Sequence, residues 1–88
     1  MGKANAAEAG VEKESELQET REKIGSALRN MREKRGLNQE QLAEKMGISR
    51  STISKIESGK FNCSIDYLSK FAFSLDFEII LQDSHYTL

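Results

Sequence analysis

The side chains best suited to touching another molecule lie in one short stretch, Arg50-Ser51-Thr52-Ile53-Ser54-Lys55-Ile56-Glu57. At roughly 100° per residue in a helix, Ile53 and Ile56 fall on one side, while Arg50, Ser51, Ser54, Lys55 and Ser58 spread over the other. An ordinary surface helix favours long charged side chains with acid-base pairs four residues apart. This face is instead short, hydroxyl-rich and basic. Small side chains let a helix sit deep in a groove, hydroxyls donate to or accept from phosphates and base edges, and Arg or Lys reaches guanine O6 and N7 in the DNA major groove. That chemistry is recognition rather than bond-making. The one histidine, His85, lies near the end of the chain with no carboxylate cluster, and the one cysteine, Cys63, has no context suggesting activation or metal ligation. No catalytic residue, metal or cofactor is expected.

The elements that must hold this face are legible on both sides of it. Ser49 offers an N-cap for a helix beginning at Arg50, and Gly47 just before it suits a left-handed turn. Upstream, Gln39 to Met46 carries Leu42, Ala43 and Met46 at helical spacing, with Asn38 as its cap. Leu37 to Lys60 therefore reads as two short helices about a tight turn, a helix-turn-helix. A preceding helix is expected from about Thr20, a plausible cap, with Ile24, Ala27, Leu28 and Met31 on its apolar side and an end before Gly36. Arg29, Lys34 and Arg35 sit on its polar side or last turn, where cations complement the helix dipole and backbone phosphates are a second use.

Ser58-Gly59 stops the basic helix, and Lys60, Phe61 and Asn62 form a loop in which Phe61 is expected to plug the core. Ser64 caps a further helix with Ile65, Leu68, Ala72 and Leu75 as its buried stripe and Tyr67 and Phe71 on a flank. Phe73 lies about 140° from the centre of that stripe and needs another partner. Phe77, Ile79 and Leu81 then alternate with Glu78, Ile80 and Gln82 in a strand-like pattern. A lone strand must pair, and no second one is evident, so the same strand of another copy is the economical partner.

The unbroken run LNQEQLAEKMGISRSTISKIESGK, Leu37 to Lys60, resembles the phage-repressor (Cro/repressor, XRE-type) helix-turn-helix family, and the resemblance extends over about Ile24 to Leu75. It implies an all-α, lambda-repressor-like domain of four to five helices, here followed by a C-terminal β-strand pairing in a dimer. It also implies a sequence-specific repressor that binds a double-stranded, inverted-repeat operator as a homodimer. By that carry-over Arg50, Ser51, Ser54 and Lys55 are the candidate base readers, Ser54 lying nearer the DNA backbone. Gln39, Ser49, Thr52, Lys60 and Asn62 are the candidate phosphate contacts. Arg32 and Glu57 occupy the places of a partly buried structural ion pair. Phe73, Phe77, Ile79 and Leu81 form the expected dimer interface. One departure from the commonest family pattern is Asp76, where a Gly usually follows the Leu that closes the helix. The short LDFEIILQD tail also resembles the HipB-type antitoxins, which implies a toxin protein as a further partner. A freestanding phage-type or restriction-controller regulator stays open beside that reading, as does a module that binds protein only.

Eighty-eight residues with 38% hydrophobic and 31% charged content suit one small domain. The expected division is a flexible tail over 1–16, the DNA-binding domain over 17–75, a dimerisation strand over 76–83 and a frayed end over 84–88. No apolar run approaches a membrane span, no secretory signal is evident, and a single cysteine fits a reducing cytoplasm. The formal net charge of -1 hides a strong segregation: Glu22 to Lys60 holds nine cations and five acids, whereas Met1 to Arg21 holds three and five, and Phe61 to Leu88 one and four. Such a basic stripe suits salt-dependent DNA affinity, although a solvated surface alone would also carry this much charge.

Overall fold

The computed structural model describes residues 2–83, with side chains from Glu14 onward. Its elements are α1 (Gly2–Lys34), α2 (Gln39–Met46), α3 (Arg50–Glu57) and α4 (Ile65–Leu75). α1 packs against α3 and α4, and α2 against α3 and α4, enclosing a core of Leu28, Leu42, Ala43, Ile53, Ile56, Phe71 and Leu75. Each large aliphatic or aromatic side chain buried there contributes about 1.5–3 kcal/mol relative to its exposed form. No helix among the described residues is long and apolar enough to cross a membrane.

The short helices are set by their caps. Asn38 and Gln41 form a reciprocal capping box, the Gln41 N–H donating to Asn38 Oδ1 at 2.7 Å and the Asn38 N–H to Gln41 Oε1 at 2.8 Å. Gly47 closes α2 at φ 70°, a left-handed conformation that gives a Cβ steric trouble and lets the chain reverse in few residues. Ser49 and Ser64 then cap α3 and α4 by accepting from the Thr52 and Tyr67 N–H groups, both at 3.1 Å.

Four expectations change. The helix expected from about Thr20 begins earlier: the backbone is helical from Gly2, so Thr20 is an interior position and not a cap, and of the tail expected over 1–16 residue 1 lies outside the described residues. Composition permits this: 2–20 holds four Ala and five Glu, all good helix formers, and no proline, and the interior Gly10 weakens the helix by only about 1 kcal/mol. In α4 the buried side is rotated, with Phe71 and Leu75 at its centre, Leu68 and Ala72 half-buried, and Ile65 74% exposed. Phe71 and Leu75, one turn apart, are the pair that the packing against α1 and α2 covers. Phe61 is not a core plug but lies 39% exposed, edge-on to Tyr67 with ring centroids 6.4 Å apart. Ala27, finally, is exposed.

Beyond α4 the chain turns at Asp76, which takes the left-handed conformation at φ 58° and donates its N–H to Ala72 O. Arg35 holds this corner, its Nε donating to Leu75 O at 2.9 Å and its Nη2 to Asp76 O at 3.2 Å. Asp76→Gly is expected to raise stability by about 0.5–1 kcal/mol, and Asp76→Val to lower it by more, because left-handed backbone is costly for any side chain and most for a branched one. Thermal melting of both variants checks the order. Residues 77–83 form no strand within the single chain. None of the other described residues is in a strand either, so the segment has no ladder to join. The expected frayed end over 84–88 lies outside the described residues.

Candidate nucleic-acid interface

α3 is held from beneath by its two isoleucines, Ile53 at 0% and Ile56 at 2% exposure. That anchoring turns Arg50, Ser51 and Lys55 outward as exposed side chains, with Thr52 and Ser54 half-buried on the flanks. No acid interrupts the outward face, since the only carboxylate on α3, Glu57, is buried. The Ser49 and Thr52 hydroxyls lie 2.9 Å apart at the N-terminus of the helix. There the partial positive end of the helix dipole favours an anion. Lys60 and Asn62 are exposed in the loop after α3. Arg50 and Lys55 have no ion-pair partner among the described residues, so both charges are free for a ligand.

Position and tilt of α3 depend on one buried polar cluster. Arg32 in α1 donates from Nε to Glu57 Oε2 at 2.7 Å and from Nη2 to Glu57 Oε1 at 2.9 Å, a bidentate pair with both residues under 9% exposed. Its remaining Nη1 donates to Leu37 O at 2.7 Å, just before α2. Gln39 Nε2 completes the set by donating to Glu57 Oε1 at 3.0 Å. The guanidinium is held above its ordinary pKa by the hydrogen bond to Glu57, against the opposing effect of burial, so it stays cationic throughout the working range of pH. One arginine thus ties α1, the entrance to α2 and the end of α3 into a single body. Gln39 stands apart from the other phosphate candidates, because its amide is already engaged with Glu57.

Two residues that shape the site carry no outward chemistry. Gly25 in α1 is buried where that helix crosses the C-terminal end of α3; a Cβ there would stand 2.5 Å from Ile56 O and 2.6 Å from Glu57 O. Gln18, farther back in α1, donates to Gly59 O at 3.2 Å and so braces the turn that ends α3. The readable signal for Gly25 is its type: a glycine inside a helix costs about 1 kcal/mol relative to alanine unless close packing requires it. For Gln18 the sequence offers no signal. Arg29 forms an exposed pair with Glu33 at 3.2 Å, and Arg35 is committed to the corner after α4, so neither is a free cation beside α3. Phe73 is 92% exposed and Phe77 half-buried, while Ile79 and Leu81 are 46% and 95% exposed, leaving an uncovered apolar face at the end of α4. Among the described residues, no group of three or more His, Cys, Asp or Glu side chains could hold a metal ion.

A helix-turn-helix family model matches residues 28–76, more than half of the chain. Among solved structures the chain is similar to the restriction-modification controller protein C.AhdI from Aeromonas hydrophila, with 39% identity and a TM-score of 0.65 over 67% of this chain and 89% of that one. It is similar also to the clp gene regulator ClgR from C. glutamicum, with 30% identity and a TM-score of 0.65, covering 67% of this chain and 76% of that one. A chain of the HipA-HipB-O2-O3 complex matches at 30% identity and a TM-score of 0.64, covering 73% of this chain and 90% of that one. A comparison with curated protein sequences finds no match.

Proposed function

The chain belongs to the XRE-type helix-turn-helix family of DNA-binding regulators, and from that premise we propose that it binds an inverted-repeat operator as a homodimer and represses transcription there. The observation that carries this reading is the outward face of α3: Arg50, Ser51 and Lys55 exposed, Ser54 beside them, no acid among them, and two isoleucines anchoring the opposite side. Two such helices related by a two-fold axis would enter successive major grooves about 34–36 Å apart. Arg50, Ser51, Ser54 and Lys55 read bases, while Ser49, Thr52, Lys60 and Asn62 hold phosphates and fix the register. Gln39 adds to them through whatever donor its bond to Glu57 leaves over.

Readers and phosphate holders are separable in one titration. Arg50→Ala is expected to cost roughly 1–3 kcal/mol on the operator and to relax specificity at one base position, with little change on random DNA. Lys60→Ala is expected to weaken binding to both DNAs alike and to reduce the slope of log K against log salt by about 1. Full discrimination retained by Arg50→Ala would remove it from the list of readers.

The apolar face of Phe73, Phe77, Ile79 and Leu81 supports the dimer, with 77–83 pairing as an antiparallel ribbon between copies. Phe73→Asp combined with Ile79→Asp is expected to give monomers at micromolar concentration in sedimentation equilibrium, with unchanged helix content. A dimer unchanged by both substitutions would place the interface elsewhere.

Similarity to a chain of the HipA-HipB-O2-O3 complex supports a second role, as the antitoxin that neutralises a toxin partner. Similarity to a restriction-modification controller supports a regulator acting without one. Purification of the tagged protein from its own cell separates the two: a stoichiometric protein from a neighbouring gene, with promoter DNA, is the antitoxin result, and DNA with no such protein is the other. The cytoplasm is the compartment both roles require.

A further inference from the structure

A cavity of about 230 Å³ opens between α1 and the loop that follows α3. Leu17 and Ile24 of α1, Ile56 of α3, and Phe61 and Cys63 of the loop supply its apolar wall. Burial pushes the Cys63 thiol up, so at neutral pH it is an uncharged part of that wall. Leu17 is 49% and Phe61 39% exposed, so apolar surface lies uncovered at the cavity, beside the exposed polar side chains of Thr20 and Asn62.

Among the described residues, the one cation lining this space is Arg21. It is half-buried, and its Nη1 donates to Gln18 Oε1 at 2.9 Å, but no carboxylate among the described residues lies within ion-pair distance of it. Arg29 and Arg32 each face a glutamate and Arg35 two carbonyls, whereas Arg50, the other arginine without an ion-pair partner among the described residues, is exposed and does not line this cavity. A guanidinium offers five N–H donors, so most of the hydrogen-bonding capacity of Arg21 is unspent beside an apolar hollow. We infer that this cavity binds a small monocarboxylate with an apolar tail, the carboxylate on Arg21 and the tail against Leu17, Ile24 and Phe61. Size and charge both select that class. A dry cavity of about 150 Å³ already admits benzene, so the volume here accommodates a single ring with a short linker. One unpaired cation matches one carboxylate, and a second would lie against the apolar wall unpaired, at high cost.

Because Ile56 belongs to α3, an occupant would bear on the same helix that carries Arg50 and Lys55. The binding itself is tested on the free chain, so its outcome is independent of the DNA-binding reading. The full-length protein is titrated with 3-phenylpropionate and, separately, with uncharged 3-phenylpropionamide while backbone and methyl NMR shifts are recorded. Saturable shifts at Leu17, Ile24, Phe61 and Cys63 are expected with the acid, with a Kd on the order of 1 mM, as suits a ligand of this size. The amide is expected to bind at least roughly tenfold more weakly, and Arg21→Gln to weaken the acid by the same factor, while Arg21→Lys recovers part of the affinity. The variants' melting temperatures report whether the fold is intact. Absence of saturable shifts with the acid, equal affinity for acid and amide, or full acid affinity in a folded Arg21→Gln would each overturn the assignment.

Discussion

Arg32→Met is expected to destabilise the protein by about 3–5 kcal/mol, because it leaves the Glu57 carboxylate buried without its cation. The pair is deep in the molecule, bidentate at 2.7 and 2.9 Å, and the third guanidinium bond at 2.7 Å fixes Leu37. A domain of this size has about 5–15 kcal/mol of total stability, so the loss is a large fraction of it. The pair is nevertheless not a large net stabiliser, since taking both charges out of water costs nearly what their attraction returns. The double variant Arg32→Met with Glu57→Met is therefore expected to recover most of the loss, although Gln39 then loses its acceptor. Urea denaturation of the wild type, both single variants and the double variant gives the coupling energy directly. A loss below about 1 kcal/mol for Arg32→Met would mean that water reaches Glu57 and that the pair behaves like an exposed one. DNA binding follows stability here, because the same arginine sets where α3 ends.

Gly25→Ala is the second large effect, and it runs against the usual rule. Alanine in place of glycine in a helix interior normally stabilises by about 1 kcal/mol. Here the added methyl would stand 2.5 Å from Ile56 O, 2.6 Å from Glu57 O and 2.8 Å from the Glu57 carbonyl carbon. These are backbone atoms at the C-terminal end of α3, which cannot rotate away as a side chain would. Either α1 moves off α3 or the last turn of α3 distorts, and overpacking of this kind typically costs about 1–3 kcal/mol. The expected net change is a loss of about 2 kcal/mol, or roughly 8–16 °C in melting temperature for a small domain. Gly36→Ala is a useful contrast: no heavy atom stands within 4 Å of its Cβ position, so its cost comes from φ +74° alone. An unchanged or raised melting temperature for Gly25→Ala would show that the two helices can separate slightly at no cost.

The two variants probe different limits of what can be read from one chain. The Arg32–Glu57 pair follows from the sequence only through the family resemblance; the two residues are 25 positions apart and nothing in local spacing joins them. Gly25 was legible in principle, as a glycine within an apolar helical pattern, but the pattern does not say which neighbour comes close. α4 shows a third case. Its apolar residues are dense enough that several stripes fit the helical period, and only the packing partners select Phe71 and Leu75 over Ile65.

By itself the sequence determined what depends on neighbours within about four positions. Asn38, Ser49 and Ser64 start helices because their side chains reach N–H groups three residues on, and Gly47 turns the chain because a left-handed backbone suits it. The two faces of α3 follow from the helical period alone, and with them the outward set of Arg50, Ser51 and Lys55. Tertiary structure decided everything that depends on contacts across the chain. It put the Gln39 amide on Glu57, drew Arg35 to the carbonyls after α4, brought Gln18 to Gly59 and opened the cavity beside Arg21. The physical reason is that caps and periods act through bonds of fixed local geometry, whereas these contacts exist only once helices far apart in sequence have been brought together by burying their apolar faces.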